Sequence, residues 1–168
     1  MKMTILVAVL AAATPTGWTL AAQRVPQTGD PLMDYRLRAS RAERAQAQLA
    51  RDADELDELA RSLATRVGAS GTVESDDVKS VTRIRKLAKR VRTAMGSVGD
   101  ARMESPPATA RDAALALGDR SESLVTEIHA ATRFEMNARI VTIAGEIVVL
   151  TNLIEGARKR QQHARDDE

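Results

Sequence analysis

Apolar residues recur at steps of three and four through three long stretches that contain no proline. That spacing restricts the chain to helices packed side by side. Leu49, Leu56, Leu59, Leu63 and Val67 keep it first, and Val78, Val81, Ile84, Leu87, Val91 and Met95 keep it again. Met136, Ile140, Ile143, Ile147, Leu150 and Ile154 form the third stripe. No alternating apolar and polar run of strand length appears, so we expect an all-α fold of long antiparallel helical hairpins. These would close into a three- or four-helix bundle or coiled coil.

The punctuation sets the boundaries. Asp30 and Pro31 suit an N-cap and first helical position, opening a helix over about 31–67. Its first half, from Tyr35 to Gln48, has only a weak apolar face: Leu37 and then mostly alanines among Arg36, Arg38, Arg41, Glu43 and Arg44. Gly68 to Gly71 end that helix. Ser75 or Asp76 can cap the next, over about 76–95. The short connection forces the two into a hairpin. Residues 96–109, with two glycines and Pro106-Pro107, read as a loop. A third helical region spans about 108–158. Leu117, Leu124 and Ile128 lie out of phase with the stripe that follows, which marks a stutter or a break near 132. With no proline or glycine there, a continuous or kinked helix is the favoured form. Within the whole helical domain, 31–161, there is a faint internal echo. Asp52, Leu56, Ser62 and Leu63 parallel Asp112, Leu117, Ser123 and Leu124, and Ile84 to Val91 parallel Ile140 to Ile147, as a duplicated hairpin would. The polar end, 162–168, is expected to be a disordered tail.

The N-terminus reads as a leader rather than as part of the fold. Lys2 precedes a short apolar run over residues 4–13, Pro15 and Gly17 break it, and Thr19 to Ala22 offer small residues for cleavage. Residues 1–22 are therefore expected to be a signal peptide and 23–30 a flexible leader. The run is about half the ~20 residues a membrane span needs, so no transmembrane anchor is expected in the mature chain. The expected location is outside the cytoplasm, periplasmic or extracellular. The chain has no cysteine, which removes disulfides and a lipid-attachment site. Of its 25 Lys and Arg, Lys2 leaves with the leader, so the mature chain lies one charge from balance with its 23 Asp and Glu. That is no electrostatic case for nucleic acid. Trp18 leaves too, so only Tyr35 and Phe134 remain aromatic, too few to line an aromatic ligand pocket.

The residues that carry chemistry are sparse. Asp52, Asp54, Glu55, Asp57 and Glu58 form an acidic run suited to salt bridges with the basic face of Lys79, Arg83, Lys86, Lys89, Arg90 and Arg92. That basic face is otherwise a docking strip for an acidic polymer. His129 lies beside an apolar stripe with Met136 two turns on. A haem site would need a methionine from a facing helix, such as Met95 or Met103. Glu146 is the one acid expected near the core. Ser62, Ser121 and Ser123 lack a His–Asp partnership, and Gly68 to Gly71 lack the residues of a phosphate loop. No catalytic, cofactor-binding or metal-ligating set is expected. The wide apolar face of 140–154 belongs either in the core or at an interface, so self-association or a protein partner through Ile140, Ile143, Ile147, Leu150 and Ile154 is open.

Residues 43–97 resemble a group of small uncharacterised secreted all-α bacterial proteins, Acidobacteria-like. The resemblance rests on R-D-A-D-E-L-D-E-L-A-R-S-L at 51–63, S-D-D-V at 75–78 and I-R-K-L-A-K-R-V-R-T-A-M-G at 84–96. It implies a signal peptide and a capped helical hairpin, and no activity. The expectation is an exported, non-catalytic structural or protein-interaction protein. The alternatives are a haem- or metal-binding periplasmic bundle and a chaperone-like binder of apolar segments.

Overall fold

The computed structural model describes residues 31–97, 99–131 and 138–167, so the leader, Phe134 and Met136 lie outside the described residues. Four helices pack against one another: α1 (Pro31–Ser70), α2 (Ser75–Ala94), α3 (Ala110–Ala130) and α4 (Ala138–Asp166). No strand occurs among the described residues.

Each helix contributes one stripe at steps of three and four to a shared aliphatic core. In α1 the buried stripe is Leu49, Ala53, Leu56, Ala60, Leu63 and Val67, and in α2 it is Val81, Ile84, Leu87, Ala88 and Val91. Ala114, Leu117, Leu124 and Ile128 of α3 meet Ile140, Ile143, Ile147, Leu150 and Ile154 of α4. Burying each Leu, Ile or Val contributes on the order of 1.5–3 kcal/mol, and these layers are the main force holding the helices together. Leu59 and Val78 are only half-buried.

Helix α1 packs on α2 and α3, and α4 packs on the same two, so α1 lies across from α4 and α2 across from α3. The contacts run in opposite order along each packed pair. Arg66 meets Asp77, Glu55 meets Arg83 and Asp52 meets Arg90 as the chain descends α1 and ascends α2. On the other side, Leu115 lies over Gly68, Ala64 faces Gly118, and His129 meets Asp54. Arg139 pairs with Glu127 and Arg120 with Glu146 between α3 and α4. Arg158 reaches Ser75 and Arg85 reaches Glu155 between α2 and α4.

The end of α2 is thus level with Asp52, and the start of α3 is level with Gly68. The described residues between α2 and α3, 95–97 and 99–109, therefore travel the length of the assembly. They are held on the way. Arg92 Nη2 donates to the Gly99 carbonyl at 2.9 Å, while its Nε is buried without an acceptor among the described residues. Ala101 lies against Gly145 of α4, where an added Cβ would come within 3.5 Å of the Ala101 methyl. Thr109 then caps α3, its hydroxyl accepting from the Asp112 N–H at 3.0 Å.

Three expectations change. The chain does not continue as one helix over 108–158: Ala131 adopts an extended backbone and ends α3. The phase shift between the two apolar stripes has a plain reason, because no single straight helix could turn both toward one core. Helix α4 extends to Asp166, into the stretch expected as a tail. Its last turns rest on the α1–α2 connection, where Gln161 Oε1 accepts from the Val73 N–H at 3.4 Å. The cap of α2 falls one residue earlier than expected, at Glu74, whose N–H is taken by Asp77 Oδ2 at 2.9 Å. Between α1 and α2 the chain turns at Gly71, whose φ of +71° is costly for any residue with a Cβ.

Candidate functional site

The acidic run on α1 is a set of clamps reaching both neighbouring helices. Asp52 is almost fully buried and accepts both Arg90 hydrogen bonds, at 2.9 and 3.0 Å, with a third from Gln48 Nε2 at 2.8 Å. Glu55 takes a two-pronged contact from Arg83 at 2.6 and 2.8 Å. Those hydrogen bonds hold the Glu55 carboxyl below the usual carboxylate range. On the α3 side, Asp57 accepts from the buried Ser121 hydroxyl at 2.7 Å and pairs with Arg61. Arg83 and Arg90, two members of the basic face of α2, are thus committed to α1. Asp52, Asp54, Glu55 and Asp57 each have a partner on another helix, and these contacts hold α1 against α2 and α3.

His129 sits on the outside of α3, its side chain about half exposed and its Nε2 3.1 Å from Asp54 Oδ1. Met95 and Met103 pack against the core. No group of three or more His, Asp or Glu side chains placed to hold a metal occurs among the described residues. Glu146 pairs with Arg120 at 2.8 Å and lines an open cleft of about 570 Å³ with Met103, Ser105 and Thr142. A second cleft, of about 410 Å³, lies between the α1–α2 connection and the end of α4 and is lined by Thr72, Glu74, Arg158 and Gln161. Ile140, Ile147, Leu150 and Ile154 have no exposed surface and Ile143 has 5%, so the chain's own helices already cover them. By length and composition α4 is apolar enough to cross a membrane over Ala138–Ala164, and half of an 18-residue apolar window within it is buried inside the protein.

What sequence reasoning missed in the first half of α1 is that the buried stripe continues along it. Helix α1 has 40 residues against 20 in α2 and 21 in α3. Its partners end near this level, α2 about level with Gln48 and α3 about level with Ala53, since Arg90 meets Asp52 and His129 meets Asp54. Residues 31–47 therefore project past them as an arm of about 25 Å. The arm carries four of the five large exposed apolar side chains among the described residues: Leu32 at 66%, Met33 at 58%, Tyr35 at 71% and Leu37 at 54%. Counting back from Leu49 by three and four gives Gln46, Ala42, Ala39, Tyr35 and Leu32. The stripe that faces the core from Leu49 to Val67 thus continues unbroken along the arm. Gln and Ala at its middle positions hide it from a reading that counts large apolar residues.

No family model, curated protein or solved structure matches the chain.

Proposed function

We propose that this chain is an exported, non-catalytic interaction protein that meets its partner through the α1 arm. The reading takes the four helices as two antiparallel hairpins, α1–α2 and α3–α4, joined by the long 95–109 connection into a closed bundle. The arm is the observation that carries it. Residues 31–47 lie beyond the core that α1 helps to build, yet they keep its heptad stripe and add exposed Leu32, Met33, Tyr35 and Leu37. Stability of the bundle does not call for such a surface, and exposed apolar side chains on an extended helix of this kind, Leu32 and Tyr35 on the stripe and Met33 and Leu37 on the other side, mark a contact site. The apolar composition of α4 is accounted for by its central packing, which supports a core helix over an anchor. The N-terminal pattern of Lys2, a short apolar run and small residues supports export.

Two measurements test the reading. Mass spectrometry of the protein recovered from producing cells should find a chain that begins near residue 23; an intact N-terminus removes export. A photo-crosslinking residue in place of Tyr35 should capture a protein in those cells, while one in place of Arg111, on the far end of the bundle, should not. Equal labelling at both positions, or none at Tyr35, removes the arm as the contact surface.

A further inference from the structure

We draw no further inference here: the strongest candidate, the exposed apolar surface of residues 31–47 on the first half of α1, is the contact surface already proposed, and nothing in the structure shows what covers it.

Discussion

At the residue scale the structure depends on charges that reach across helices. Asp52 is the strongest case, because its carboxylate is almost fully buried and accepts three hydrogen bonds. Replacing it with Ala strands the Arg90 guanidinium over the α1–α2 contact. Since Arg90 is nearly half exposed and can rehydrate, we expect a loss of about 1–3 kcal/mol in urea unfolding. The Lys79–Asp76 pair is exposed on both sides, and its removal should change stability by less than about 0.5 kcal/mol. Glu155 gives the pH dependence. Hydrogen bonds from Arg85 and Lys159 hold its carboxyl below the usual carboxylate range, so the folded chain binds its proton less readily than the unfolded one. The stability it contributes is complete above the ordinary Glu range and is lost as pH falls through the lowered value. Urea midpoints should therefore fall as pH drops below about 4.5, and Glu155→Gln should flatten that slope. An unchanged slope would show that the contact with Arg85 does not bias folding. These partnerships were only half legible in the sequence. The acidic run and the basic face announce salt bridges in general. Which acid meets which arginine depends on the axial level of the two helices, and level is set by the α1–α2 connection.

At the element scale the large aliphatic stripes were readable and the small residues were not. Leu49 to Val67, Val81 to Val91 and Ile140 to Ile154 each declare a helix and its buried face. The arm of α1 keeps the same register through Ala39, Ala42 and Gln46, but residues that small or polar yield no amphipathic signal. The end of α3 was obscured for a related reason: no glycine or proline marks it, and only a phase shift betrays that two faces must turn to one core. Gly145 shows what a small residue can do. It is the point where the 95–109 connection touches α4, with Ala101 Cα 3.9 Å from where a Cβ would stand. Gly145→Val should lift that connection from the helix, at a cost of about 1–3 kcal/mol. Limited proteolysis should then cut near Asp100 to Ser105 sooner than in the parent chain, while helix content stays the same. Unchanged cleavage would mean that the connection is held by Arg92 and its contacts alone.

At the scale of the whole molecule the internal echo acquires a physical form. The buried positions Ala53, Leu56, Ala60, Leu63 and Val67 of α1 correspond, at one constant offset, to Ala114, Leu117, Ser121, Leu124 and Ile128 of α3. Ile84, Leu87, Ala88 and Val91 of α2 correspond likewise to Ile140, Ile143, Ala144 and Ile147 of α4. Exchanging α1 with α3 and α2 with α4 leaves the order of neighbours unchanged, so the two halves occupy equivalent places. On this mapping Ala110, the first residue of α3, corresponds to Leu49, and the part of α1 with no counterpart is the arm together with Gln48. The arm is then an addition to a unit already closed, whose first layer is Leu49. A chain that starts at Gln48 should fold and melt within about 4 °C of the longer one in dilute solution, because no buried layer is lost. A drop of tens of degrees would make the arm part of the fold rather than an extension from it.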